Sequence, residues 1–292
     1  MYELIQLTEH DYYVDCPAKI GLVRTGEQEA VAIDSGSDKD AGKKVLRILE
    51  AQGWKLTAIL NTHSHADHIG GNRFLQDRTG CRVFANGLEA AFTNFPVLEP
   101  VGLYGGYPMK DLRHKFLLAQ ESRAEQLTEA ALPAGMRLLN LPGHSFDMAG
   151  FLTADGTAYI GDCVSSEETL EKYGIGYLWD VEASLNTLNA VKSIGAKRFV
   201  PAHAPVSNSV AELAERNAAA IREAGERILS CCVGATFEAI LQRVFTEYGL
   251  TMNAQQYALI GSTVRSYLSW LHGQGKVGFA FEDNRMLWKT ME

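Results

Sequence analysis

Apolar and polar positions switch between two periods along the first two thirds of the chain. Residues 18–24 and the run Ala30-Val31-Ala32-Ile33 read as two strands, the second closed by Asp34-Ser35-Gly36, and together they predict a hairpin. From 39 to 51 the apolar residues Val45, Leu46, Ile48 and Leu49 share one side of a helix, with Gly53 as its stop. Residues 56–60 form a short buried-strand run that leads straight into Asn61-Thr62-His63. A helix over 70–78, a strand over 82–85 and a helix over 87–92 follow. Residues 95–116 break the alternation with Pro96, Pro100, Gly105, Gly106 and Pro108 among aromatics, which predicts an insertion or lid loop. Strands return over 136–141, 150–153 and 158–161, and a helix over 181–194 leads to a strand over 198–200. Beyond His203 the pattern becomes helical, with a long helix over 209–229 and two more marked by Phe237 to Phe245 and Tyr257 to Leu271. A hairpin over 276–289 closes the chain. The layout predicts a mixed α/β domain over 1–207 and a C-terminal helical, winged-helix-like module over 208–292.

The strand ends hold the candidate chemistry. Thr62-His63-Ser64-His65-Ala66-Asp67-His68 places three imidazoles and a carboxylate within six positions just past a strand. A protein core would not tolerate that density without partners, and a metal is the natural one. A loop beyond a strand can turn His63 and His65 toward one ion and Asp67 and His68 toward another, whereas a helix would scatter them. His144, Asp162 and His203 each follow an apolar strand too, where a sheet edge presents ligands to a shared site. Singly, a histidine is more often a hydrogen-bonded core or surface residue, and Asp162 beside a glycine reads equally as a turn. The combination argues for two metal sites.

Composition narrows the partner and the compartment. The 292 residues are 46% apolar, enough for a sizeable core, and carry a formal net charge of −8. That balance offers no general attraction to phosphate backbones and favours a small-molecule substrate over nucleic acid. The tail agrees, because Arg243, Arg265, Lys276, Arg285 and Lys289 are matched by Glu238, Glu247, Glu282, Asp283 and Glu292. Five cysteines without CxxC spacing suit a reducing compartment, and Cys163 reads as a buried structural thiol. No apolar window of about 18 residues and no basic-then-apolar start occur, so the expectation is a soluble, cytoplasmic protein with no membrane partner. Apolar tail residues such as Trp270 and Trp288 suggest packing on the first domain, cover for the site, or a homodimer contact.

Through His63-x-His65-x-Asp67-His68, Pro142-Gly143-His144, Gly161-Asp162 and Pro201-Ala202-His203, residues 1–207 resemble the metallo-β-lactamase superfamily. The resemblance implies an αββα sandwich with its active site along one edge of two facing sheets. It implies that His63, His65 and His144 hold a first metal, that Asp67, His68 and His203 hold a second, and that Asp162 bridges them. Asp34 resembles a position that braces the ligand loop and is not counted as a ligand. Two divalent ions about 3.5–4 Å apart can share a hydroxide whose proton affinity is lowered toward neutrality. Zinc is the first expectation, and iron or manganese suits the same donors. Hydrolysis by the bridging hydroxide follows, with Asp67 as the catalytic residue that orients it and relays its proton. Tyr173, Tyr177 and His114 are candidates to bind substrate or assist the leaving group.

The layout is similar to hydroxyacylglutathione hydrolases, to acyl-homoserine lactonases and to a β-lactamase-like branch with a C-terminal winged-helix segment, some of whose relatives cleave RNA. His65 stands where flavodiiron oxygen reductases carry glutamate, and Asp162 where secreted zinc β-lactamases use cysteine. Oxygen reduction and antibiotic hydrolysis are therefore not expected. After Asp162 the chain reads Cys163-Val164-Ser165-Ser166-Glu167-Glu168, without the basic and aromatic residues by which glyoxalase II grips glutathione. The expected activity is hydrolysis of a small thioester, ester or lactone. The alternatives are a phosphodiesterase or ribonuclease, and a mononuclear iron enzyme like the persulfide dioxygenases. Residues 95–116 and 165–179 are the expected pocket walls.

Overall fold

The computed structural model describes residues 2–291. Strands β1 (Glu3–Gln6) and β2 (Asp11–Asp15), which the hydrophobic pattern did not reveal, lead into β3 (Ile20–Arg24) and β4 (Glu29–Ile33) as an antiparallel meander. Helix α1 (Lys39–Gln52) crosses to β5 (Lys55–Leu60), parallel to β4. The Asp38 carboxylate accepts from the first free N–H groups of α1, and Gly53 at φ 70° ends it in the left-handed conformation. The chain continues through α2 (Ala66–Ile69), α3 (Asn72–Thr79), β6 (Arg82–Ala85), α4 (Gly87–Asn94), α5 (Leu98–Tyr104) and β7 (Ala124–Gln126). These strands form one seven-stranded sheet in sequential order. The segment 95–116, expected to be a loop, thus contains a helix. Pro100 falls within its first turn, where a missing N–H forfeits no helical hydrogen bond.

A second sheet takes the order β11-β10-β9-β8, from β8 (Arg137–Asn140), β9 (Ala149–Leu152), β10 (Thr157–Tyr159) and β11 (Arg198–Val200). Helices α6 (Glu167–Tyr173) and α7 (Val181–Val191) link β10 to β11. The sheets face each other across one apolar layer that joins Val31, Ile33, Leu60 and Phe84 to Phe151, Tyr159 and Val200. The buried Tyr159 hydroxyl donates to the Tyr12 carbonyl at 2.7 Å, and its ring lies where a Cβ on Gly21 would come within 2.7 Å. On the outer faces, Val45 and Leu49 of α1 and Leu75 of α3 cover the first sheet. Leu188 and Val191 of α7, with Ala214 and Ala218 of α8 (Ala211–Cys231), cover the second. The result is an αββα sandwich.

The C-terminal module comprises β12 (Val233–Ala235), α9 (Phe237–Glu247), α10 (Ala254–Gly273), β13 (Val277–Glu282) and β14 (Arg285–Thr290), its strands ordered β12-β14-β13. Asp283 and Asn284 turn the hairpin at φ 49° and 58°, the paired positive values of a two-residue turn matched to strand twist. The module core, with Ile240, Val244, Val264 and Leu268, also takes in Ile175 and Val181 from the sandwich half. Helix α8 serves both, burying Ala214 in one and Ile228 in the other. Among the described residues no helix is long and apolar enough to cross a membrane, and the five cysteines are free thiols.

Candidate metal centre

Asp34, at the end of β4, holds the ligand loop in place. Its backbone adopts φ 64°, a left-handed value that aspartate tolerates better than most residues. Its carboxylate accepts from the Thr62 N–H at 2.8 Å and the Thr62 hydroxyl at 2.7 Å, and lies 2.8 Å from His68 Nδ1. The turn after β4 also touches the start of α3, where a Cβ on Gly71 would meet the Ser35 carbonyl oxygen at 2.3 Å. Asp67 and His68, carried on α2, are thereby pressed against the sheet end.

All seven candidate ligands converge. His63, His65 and His144 form one group whose ligand atoms lie within 4.8 Å of one another, and Asp67, His68 and His203 form another. His65 Nδ1 lies 3.0 Å from His63 Nε2 and 3.1 Å from His144 Nε2. His203 Nε2 lies 3.1 Å from Asp67 Oδ2. Asp162 stands between the groups, with Oδ2 3.4 Å from His144 Nε2 and Oδ1 3.2 Å from His68 Nε2. That last pair is misaligned for hydrogen bonding, so both atoms are buried without a partner. Orphaned donor atoms facing one point, on residues of ligand type, fit a divalent cation.

Hydrogen bonds on the far side of the rings set the tautomers. The Thr62 hydroxyl spends its proton on Asp34, so toward His63 Nδ1, 3.0 Å away, it can only accept. His63 then carries its proton on Nδ1 and presents a bare Nε2. His68 Nδ1 donates to Asp34 and His203 Nδ1 to the Pro17 carbonyl at 2.9 Å, which turns both Nε2 atoms inward. Burial lowers the pKa of His65 and His144 to about 4 and that of His63 well below its ordinary value, keeping these rings neutral, as ligation requires. Burial acts against a charge on His68 as well, but Asp162, Asp67 and Asp34 overcome it and raise that pKa. Burial likewise opposes ionisation of Asp67, yet His68 and His203 hold it below the usual carboxylate range.

One positioning residue was not foreseen. Glu89 on α4 is fully buried, and its carboxylate accepts from Ser64 N–H (2.9 Å), Ser64 Oγ (2.5 Å), Ser145 Oγ (2.7 Å) and Asp147 N–H (3.1 Å). It therefore clamps the loop of His63 and His65 to the loop of His144. The sequence carried no local signal for it: Glu89 shares the buried face of α4 with Ala90 and Thr93, while the neighbouring Leu88 is exposed.

Of the candidate substrate residues, Tyr177 reaches the cluster, its ring centroid 5.2 Å from that of His65 and 5.7 Å from that of His144. Tyr173 lines an adjoining cleft with Leu170, Leu259 and Ile260. His114 packs edge-on against Phe116 in the lid and does not line the clefts beside the ligands. The lid rests on the C-terminal module, where Leu103, Leu112 and Leu117 pack with Ala258 of α10. Each such leucine contributes roughly 1.5–3 kcal/mol when fully buried, which holds α5 against the site. Cys163 is buried next to Asp162, and burial raises its thiol pKa to about 12.

The Metallo-beta-lactamase superfamily sequence profile matches residues 13–203, the span that holds every one of these ligands. The chain belongs to the metallo-beta-lactamase superfamily. Within it, the chain is 31% identical over 194 residues to a hydroxyacylglutathione hydrolase of Methylococcus capsulatus, covering 63% of each protein. It is 28% identical over 174 residues to another of that name from Rhodospirillum rubrum, covering 59% of this chain and 58% of that one. A beta-lactamase-like protein 2 homolog of Drosophila melanogaster is 26% identical over 183 residues, covering 60% and 55%. The chain thus aligns with less than two thirds of the length of these metallo-beta-lactamase relatives. The fold likeness runs further. A beta-lactamase domain protein from Burkholderia ambifaria superposes with a TM-score of 0.75 at 17% identity, over 99% of this chain and 94% of that one. A metallo-beta-lactamase family protein from Thermus thermophilus gives 0.73 at 17% identity, over 100% and 98%. These likenesses extend through the C-terminal module.

Proposed function

We propose that this chain is a hydrolase of small thioesters, esters or lactones that works with two divalent metal ions, zinc first among them. The carrying observation is the grouping of the ligands. Two three-residue sets flank Asp162, which is placed between them to be shared, and two ions held side by side are the arrangement by which two-metal hydrolases activate water, whereas structural zinc sites are single and closed. The ions, when bound, would supply an acidified water as nucleophile and polarise the substrate oxygen. The chain's own residues do the positioning. Asp67 is the most open carboxylate of the set, its side chain 41% exposed against 13% for Asp162, so it can orient the attacking water and take its proton. Asp34, the Pro17 carbonyl and Glu89 fix the ligand rings and loops so that this alignment costs little reorganisation. Tyr177, against His65 and His144, forms the wall that limits where the scissile group can lie.

Thioesters come first among the proposed substrates, a reading supported by the likeness to proteins named hydroxyacylglutathione hydrolase. An anionic polymer is disfavoured, because the broad cleft at His203 is lined by Asp15, Glu167, Glu168 and Glu212 with only Lys19 to balance them. A cytoplasmic setting, where free thiols persist, suits the five unpaired cysteines. The test is a screen of thioesters, lactones and phosphodiesters with zinc-loaded protein, alongside Asp67→Ala and His65→Ala. Both variants should fold and lose turnover. Retained turnover in both would refute the assignment of the site.

A further inference from the structure

Beside the metal ligands lies a small cleft whose walls come from separate parts of the chain: His65, Phe92, Glu99, Phe146, Tyr177 and Trp179. The Phe146 ring bridges its neighbours, 4.6 Å from Phe92 and 4.3 Å from Trp179 between centroids. Glu99, from α5, is the one acidic group lining this aromatic enclosure. Among the described residues nothing hydrogen-bonds or ion-pairs with its carboxylate; burial, with Asp67 and Glu89 of like sign, raises its pKa well above the ordinary carboxylate value against the opposing effect of His68, so the cleft by itself disfavours the ionised form. Glu99 is half-buried in this aromatic setting, and a cation seated beside it would favour its ionised form. The free room is about 20 Å³. One water-sized group needs about 10–15 Å³, so the space admits an ammonium head and excludes a trimethylammonium.

We propose that this cleft receives a primary ammonium group of the substrate, with Glu99 as counter-charge and the rings of Phe146, Tyr177 and Trp179 as its aromatic walls. The inference rests on the hydrolase reading and makes the substrate class more specific: an acyl ester or thioester that carries an alkylammonium. Carboxylate plus aromatic surface is the combination that stabilises a desolvated cation. Because His65 lines the same cleft, a group seated there lies one side chain away from the reacting centre.

Binding and turnover test this separately, on the zinc-loaded full chain. In calorimetric titrations n-butylammonium should bind at least about tenfold more tightly than 1-butanol, and Glu99→Gln should remove that preference. In kinetics, N-acetylcysteamine thioesters of β-alanine and of 6-aminohexanoic acid are compared with their neutral isosteres, the butanoyl and heptanoyl thioesters. At least one ammonium substrate should show a kcat/KM advantage of about tenfold in wild type that falls toward unity in Glu99→Gln. Equal binding of butylammonium and butanol by wild type, as for a cleft that holds only water, overturns the proposal. So does a Glu99→Gln variant that slows charged and neutral thioesters alike, since Glu99 would then serve the reaction rather than substrate choice. If the variant does not fold, the wild-type comparison of the two probes decides alone. Absence of turnover with every thioester would contradict the hydrolase reading, while the binding comparison would still judge the cleft.

Discussion

Glu89→Gln is the sharpest single perturbation of the centre because it keeps side-chain shape and changes only what the two ends can accept. Each Glu89 oxygen takes one backbone N–H and one serine hydroxyl: Ser64 N–H with Ser64 Oγ on Oε2, and Asp147 N–H with Ser145 Oγ on Oε1. In glutamine one end becomes an NH₂ donor. A serine hydroxyl can rotate to accept from it, but a backbone N–H cannot, so either orientation leaves one buried N–H facing another donor. One buried orphan costs about 1–3 kcal/mol. For a chain of this size that lowers Tm by roughly 2–4 °C per kcal/mol. The loops carrying His63, His65 and His144 lose a common anchor, and loss of such support typically weakens metal affinity about 10–100-fold. Thermal melts of the metal-free protein measure the first effect, and competition with a chromophoric chelator measures the second. A variant that melts lower yet binds zinc as tightly as wild type would refute the positioning role and leave Glu89 a stability residue only.

Three further outcomes follow from the same geometry. Loading metal at neutral pH should release protons from His68, whose pKa is raised by Asp162, Asp67 and Asp34 against burial, and from His203, raised chiefly by Asp162. Both groups are protonated below their raised values, so the yield in a pH-stat should decline as pH climbs through them; no release at neutral pH would contradict the assignment. Metal affinity should weaken as pH falls, and more steeply below about 4, where His65 and His144 of the metal-free protein gain protons; an affinity that does not change with pH across that range would contradict the ligand set. Asp38→Ala removes the cap of α1 together with the 3.0 Å ion pair to Lys115 of the lid. It should cost about 0.5–2 kcal/mol in urea melts at neutral pH. The Ala41 N–H foremost, with Lys115, depresses the folded-state pKa of Asp38. Its contribution is therefore present above the ordinary carboxylate range and lost as pH falls through the depressed value, so the two proteins should converge in stability in acid.

How much of this was legible in the chain depends on whether a feature is local. The strands 56–60 and 82–85 and helix α1 declare themselves through period and stop residues, and β5, β6 and α1 form where expected. The ligands stood out because His63 to His68 is too polar for a strand end without a shared partner. Helix α5 stayed hidden because Pro96 and Pro100 read as breakers, although proline in a first turn is compatible with a helix. Strand β2 stayed hidden because Asp11 and Asp15 bound a three-residue apolar stretch; Asp11 is in fact buried, with the Thr153 hydroxyl donating to it at 2.7 Å. Glu89 and Glu99 lie in helices whose sequence carries no site motif. Their roles arise only when the fold brings α4 and α5 over the ligand loops, a tertiary event without a local signature.

If these ligands hold the metals that perform hydrolysis, turnover must follow metal occupancy. Metal-stripped protein is reconstituted with zinc while thioester hydrolysis and bound metal are followed together. The stripped protein should show no turnover, and activity should recover fully as the second equivalent of zinc per chain binds. Undiminished turnover after complete removal of metal would contradict that dependence.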